Sequence, residues 1–216
     1  MSTPRIQVCF ALREESIPFA KLSTGNPAVS ISIVGVGQFN ATNAIERILS
    51  QKSFLPAMVL TCGYAGGLSP ALKHAAVVYD ADPVFPLTPR CAAQGCVRVQ
   101  FHCDTRIVST AEEKRQVRAT TGADAVEMES APIRRACQRA GIPSATIRVI
   151  SDTATEDLPL DFNRIMSPKG LFSPWRLAGE LLRHPGAVPE LLALRKRNAQ
   201  AAEQLGRALA AIVSGW

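Results

Sequence analysis

Long apolar runs are absent from this chain of 216 residues, and none approaches the roughly 20 consecutive positions that a membrane-spanning helix requires. Residues 1–10 carry no charged leader ahead of such a run, so a cytoplasmic location is expected. No CxxC pair occurs among Cys9, Cys62, Cys91, Cys96, Cys103 and Cys137. Several of these lie in apolar stretches where thiols commonly pack, so core thiols are expected. Cys91, Cys96 and Cys103 with His102 match no zinc spacing, and no metal is expected. Internal repeats and low-complexity linkers are lacking too. With a length sufficient for one sizeable core, this predicts a single domain over 1–216 whose last part, 174–216, is a helical C-terminal extension.

What is present fits a packed globular protein: 47% of residues are hydrophobic and 19% charged. The net charge of +6 is unevenly placed, since the stretch 164–216 carries eight Lys or Arg against three Glu. Nucleic-acid binding would call for basic residues interleaved with aromatics, and this stretch offers only Phe172, Trp175 and Trp216. No nucleic-acid partner is expected, and the charge reads first as a solvated helix face.

Strand-like runs rich in β-branched residues occupy 6–12, 29–34, 58–62, 75–80, 97–101 and 145–150. Between them, Ala41, Ala44, Ile45, Ile48 and Leu49 recur with helical spacing and predict a helix over 40–51. Ser109 and Thr110 each precede a Glu by three residues, the spacing of a capping box, and predict a helix start. A third helix is predicted over 131–140, with Pro132 near its first turn and Gly141 as its stop. Two more helices are expected in 174–216, separated near 184–189. The alternation predicts an α/β sheet covered on both faces, with ligands at the carboxyl ends of strands.

Three strand ends carry chemistry. Gly63-Tyr64-Ala65-Gly66-Gly67 follows the run 58–62, Val126-Glu127-Met128-Glu129 precedes the third helix, and Arg148-Val149-Ile150-Ser151-Asp152 closes a buried strand. Glycines let backbone amides approach a ligand, and a carboxylate at a strand end can be desolvated so that its proton affinity rises. Gly35-Val36-Gly37 follows a strand and precedes a helix, as a dinucleotide fingerprint does. The third glycine of that fingerprint is missing, with Asn40 in its place.

These segments, with Ala11-Leu12-Arg13-Glu14-Glu15, agree in order over residues 5–155 with the nucleoside phosphorylase superfamily. The chain especially resembles its methylthioadenosine/S-adenosylhomocysteine nucleosidase branch. Glu-Ser after Met128, Leu158-Pro159 after Ser-Asp, and the stretches Leu182-Arg183-His184-Pro185-Gly186 and Pro189-Glu190-Leu191-Leu192 are further similar to the hopanoid-associated phosphorylase group, which acts on adenosylhopane. The resemblance implies a three-layer α/β/α phosphorylase/hydrolase-like fold with a mixed central sheet, a homodimer, and an adenine nucleoside as the small-molecule substrate. No cofactor is implied, phosphate standing as the alternative co-substrate to water. A lipid-linked substrate would suit peripheral membrane contact through the basic C-terminal helices.

Breaking a ribose–adenine bond develops positive charge on the sugar and negative charge on the base, so an acid near the base and a carboxylate near the sugar both help. By the resemblance, Asp152 protonates adenine at N7, Glu129 holds the ribose hydroxyls, Met128 packs on the sugar, and Glu15 activates water. Asp in place of Asn at 152 goes with adenine rather than a 6-oxopurine. Glu127, Ser151, Arg148, Gly63, Tyr64, Ala65, Gly37, Arg106 and Ile107 complete the implied substrate site. Each key residue also has a plainer reading: Asp152 as a helix cap, Arg148 as a core-edge ion pair, Glu15 as an exposed helix-start charge. Arg106 departs from the nucleosidases, which carry a base-stacking aromatic there. The segment between Glu15 and Val29 is shorter than theirs, which predicts an open wall near the 5′ group. A small-substrate methylthioadenosine nucleosidase and a non-catalytic nucleoside-binding protein remain the competing readings.

Overall fold

Ile6, Val8 and Phe10 face one side of the first strand and Cys9 the other, the two-residue period of a strand buried on both faces. In the computed structural model, which describes residues 5–51, 55–167, 170–171 and 173–215, this strand is β1 (Ile6–Phe10). It pairs in parallel with β2 (Val29–Ile33) and β3 (Met58–Gly67). On its other edge β3 pairs in parallel with β8 (Ser144–Asp152), which pairs antiparallel with β4 (Val77–Ala81). β5 (Val97–Arg98) closes that edge, giving the order β2-β1-β3-β8-β4-β5. β7 (Ala125–Glu127) joins β3 antiparallel at Gly66 and Gly67, and β6 (Phe101–Cys103) pairs with β7. The sheet is therefore mixed, as the resemblance implied.

Helices cover both faces. α1 (Arg13–Leu22), α3 (Thr88–Ala93) and α8 (Ala187–Val213) bury Phe19, Cys91, Ala201, Leu205, Leu209 and Ile212 against one face. α2 (Gln38–Ser50) and α5 (Ser130–Arg139) bury Ala41, Ala44, Ile45, Ile133, Ala136 and Cys137 against the other. α4 (Ala111–Thr121) starts on the Thr110 capping box, in which Glu113 N–H donates to Thr110 Oγ1 at 3.2 Å and Glu113 Oε2 accepts from Thr110 N–H at 3.2 Å. α6 (Phe162–Ile165) and α7 (Pro174–Arg183) complete the order. Five of the six cysteines are buried and Cys103 is half-buried. Among the described residues no helix is long and apolar enough to cross a membrane.

Several boundaries differ from the sequence reading. The glycine-rich stretch after 62 does not leave the sheet: β3 continues through Gly67, and past a register shift between Ala65 and Gly66 it pairs with both β8, at Asp152, and β7. The run 97–101 is two strands, because Val99 N–H donates to Tyr79 O on β4 while Gln100 O accepts from Asp124 and Ala125 beside β7. α1 was not legible as a helix, since it carries Pro18 internally and has no side-chain cap. The C-terminal break falls at 184–186, and Pro189 sits inside the first turn of α8, where a missing N–H costs nothing. The Ala201–Ile212 side chains above build α8 into the main core.

Candidate functional site

The carboxyl ends of β1, β3, β7 and β8 meet at one cavity of about 230 Å³. Glu15, Tyr64, Ala65, Arg106, Ile107, Glu127, Met128, Glu129, Arg148, Ser151 and Asp152 all line it, so eleven of the thirteen anticipated site residues are brought together. Gly37 and Gly63 stand behind them. Gly37 N–H donates to Glu129 Oε1 at 2.8 Å. Gly63, at φ 141, lies where a Cβ would come 2.8 Å from Glu15 Oε2 and 2.9 Å from Arg148 Nη1, so glycine leaves room for both side chains.

Arg148 is the hub. It is 1% exposed, and its Nη2 donates to Glu127 Oε2 at 2.6 Å, to Glu129 Oε2 at 3.1 Å and to Thr61 Oγ1 at 3.1 Å. Its neighbouring carboxylates hold the guanidinium proton tightly, raising its pKa against the cost of burial. Glu127 is the more heavily bonded carboxylate: Oε2 also accepts from the N–H groups of Glu129 and Ser130, and Oε1 accepts from Ser130 Oγ at 2.6 Å. Its bonds clamp Arg148 and the first turn of α5. Glu129 accepts one bond on each oxygen and so keeps lone pairs for further donors. Burial raises its pKa, opposed by Arg148 and assisted by Glu127.

Glu15 is 4% exposed, which removes the reading of a surface charge. It sits at the third position of α1, where Oε2 accepts from Leu12 N–H at 3.0 Å and Oε1 from Tyr64 N–H at 3.1 Å. Burial pushes its pKa up to about 7, with Arg148 and these two amides pulling the other way. A carboxylate so placed can take a proton from water near neutral pH.

Asp152 ends β8 and caps no helix in the described residues. Its Oδ1 accepts from Ser151 Oγ at 2.5 Å and its Oδ2 lies 2.6 Å from Lys114 Nζ. Arg106 reaches outward instead, paired with Glu113 at 2.7 Å with half its side chain exposed. Beside it the backbone of Ile107 is bonded both ways by the Asn163 carboxamide, at 2.9 and 2.8 Å.

A family model described as the phosphorylase superfamily matches residues 97–169, the stretch holding Glu129, Arg148 and Asp152. A 5′-methylthioadenosine/S-adenosylhomocysteine nucleosidase of Exiguobacterium sp. is 27% identical over 183 residues, which cover 69% of this chain and 78% of that protein. The corresponding nucleosidase of Staphylococcus aureus is 24% identical over 198 residues, 75% of this chain and 86% of its own. In structure, the fold is similar to futalosine hydrolase of Helicobacter pylori, with TM-score 0.72, 17% identity and 99% of both chains covered. It is equally similar to the methylthioadenosine/S-adenosylhomocysteine nucleosidase of that organism bound to butyl-thio-DADMe-Immucillin-A, with TM-score 0.72, 17% identity and 100% of both chains covered. These matches agree with the resemblance of the motifs to the nucleoside phosphorylase/nucleosidase superfamily.

The sequence reading missed two parts of the site. One is the wall supplied by α8 through Leu194 and Asn198, where Tyr64 Oη donates to Asn198 O at 2.9 Å. The other is Lys114, the single buried residue of α4. A second hollow shares Val36 and Met128 with the first and opens past Phe39, Met166 and Arg176.

Proposed function

We propose that this protein cleaves the N-glycosidic bond of an adenine nucleoside and that water is the acceptor. The observation that carries the reading is the convergence of buried Glu15, Glu129 and Asp152 on one cavity around the Arg148 hub. In this mechanism Asp152 gives a proton to the departing base, Glu129 holds the ribose hydroxyls as the sugar becomes cationic, and Glu15 takes the proton of the attacking water. Arg148 keeps Glu129 in place, with Glu127 as its second partner. Phosphate is the poorer acceptor here: a dianion entering beside Glu15 and Glu129 would meet an Arg148 already bonded to Glu127 and Glu129 and a Lys114 already bonded to Asp152.

For the 5′ group the reading favours a large substituent, as in adenosylhopane. Its support is the second hollow beyond Met128, which continues the cavity towards α7. The test is incubation of purified protein with an adenosylhopane-like compound and with methylthioadenosine, each with and without phosphate, measuring adenine, free ribosyl product and ribose 1-phosphate. Adenine release without phosphate is expected, fastest for the bulky compound. Rapid turnover of methylthioadenosine alone restores the small-substrate nucleosidase reading. Adenine binding with no release in any arm leaves a nucleoside-binding protein.

A further inference from the structure

Lysine is among the residues least tolerated in a protein interior, yet the Lys114 side chain is 0% exposed. Its position on α4 points it at the turn that follows β8. The ammonium has three protons and three acceptors: Asp152 Oδ2 at 2.6 Å, Glu156 O at 2.6 Å and Thr153 O at 2.8 Å. Glu156 in turn accepts from Thr153 N–H at 2.7 Å and pairs with Arg197 of α8 at 3.0 Å. The whole turn is thereby bound to α4 on one side and α8 on the other.

We propose that Lys114 is the positioning residue for the base-protonating carboxyl of Asp152. This inference rests on the functional reading above and deepens it. With Lys114 on Oδ2 and Ser151 on Oδ1, the carboxyl cannot rotate about its Cβ–Cγ bond, so its proton is presented to the base at one angle. The cation does a second thing. When the proton moves from Asp152 to the departing base, a carboxylate is left behind, and the adjacent ammonium stabilises that charge as it forms. Lys114 thus assists the leaving group without touching it. The lysine neither gains nor loses a proton in the step; the Asp152 O–H bond breaks and a base N–H bond forms as the glycosidic bond opens.

A leaving group that needs no proton isolates this role. p-Nitrophenyl riboside departs as a stable phenolate, so its cleavage draws on Glu15 and Glu129 but not on the acid. The experiment measures adenine release and p-nitrophenolate release in the same sample of wild type, Lys114→Met, Asp152→Asn and the double variant. The ratio of the two rates is independent of how much of a variant is folded. It is expected to fall at least about 100-fold in Lys114→Met, the lower end of what a general acid supplies. In the Asp152→Asn background the lysine substitution should change the ratio no further, because its partner is gone. An unchanged ratio in Lys114→Met, both rates falling together, means the lysine only supports the fold and overturns the proposal. A wild-type chain that releases no adenine overturns the functional reading itself, which is a separate outcome.

Discussion

Three carboxylates share one guanidinium in this site, and their fates are set by small differences in what else each touches. Glu127 accepts from two amides and a hydroxyl besides Arg148, Glu129 accepts from Arg148 and the Gly37 amide, and Glu15 accepts from two amides, Leu12 and Tyr64. Removing the guanidinium strands Glu127 and Glu129 together. Arg148→Met is therefore expected to cost about 3–5 kcal/mol in denaturant unfolding, the range for breaking one side of a buried pair. A loss below about 1 kcal/mol would mean that the pair breaks even against a hydrophobic replacement. Glu15 makes a second prediction. Its folded pKa of about 7 lies above the ordinary 4.5, so its contribution to stability is complete below pH 4.5 and is lost as pH rises through 7. The thermal midpoint should fall between pH 5 and pH 8, and Glu15→Gln, which cannot ionise, should show a shallower fall. As the base for water, Glu15 must be ionised, so kcat/KM should drop on the acid side of about pH 7 in the wild type. Asp152, Glu129 and Arg148 were legible as chemistry because each is a charged residue within or just after an apolar strand. Lys114 was not. It lies among Glu112, Glu113, Arg115, Gln116 and Arg118, and nothing in such a polar helix distinguishes the one lysine that turns inward.

At the scale of elements, the site depends on how closely α8 lies against α1. Gly206 is the contact point, since a Cβ there would meet Pro18 Cβ at 2.8 Å and Phe19 N at 2.9 Å. Pro18 follows Glu15 by three residues on the same short helix, so pushing α8 away disturbs both the base and the Leu194–Asn198 wall. Gly206→Val should lower stability by about 1–3 kcal/mol, as overpacking does, and reduce activity in the surviving folded fraction. Wild-type stability with intact turnover would show that α1 and α8 separate freely. This contact explains much of what sequence periodicity conveyed and what it did not. The α2 and α5 stripes were readable because their apolar residues face one flat sheet surface. α1 was hidden because its burial is shared between the sheet and a helix nearly two hundred residues later, and its Glu15 and Ser16 are buried polar groups that break the stripe. The β5–β6 split was equally unreadable, since a switch of hydrogen-bond partner at Val99 and Gln100 leaves no mark on an apolar run.

Across the whole molecule, charge and exposed apolar surface fall on the same region. α7 holds Trp175 at 88% and Leu182 at 85% exposure, seven residues apart and so on one helical face, with Leu171 at 65% just before it. Arg183 projects beside them with 70% of its side chain exposed, and Arg176 flanks the second hollow that continues the cavity. Phe172 and Trp216, the other aromatics of this stretch, lie outside the described residues. An aromatic and a leucine standing in water next to arginines have the make-up of a helix that settles into an anionic lipid surface. For a nucleoside whose 5′ substituent is itself a lipid, such docking would bring the mouth of the cavity to the membrane rather than requiring the substrate to leave it. Sedimentation with vesicles containing phosphatidylglycerol should therefore carry the wild-type chain down, and this should weaken as salt rises past about 0.15 M, where the Debye length shrinks to about 8 Å. Trp175→Glu with Leu182→Glu should abolish the binding, while this double substitution leaves adenine release from a soluble adenosine unchanged because neither side chain lines the cavity. Binding that survives both substitutions would place any lipid contact elsewhere on the surface and detach the exposed face of α7 from the choice of substrate.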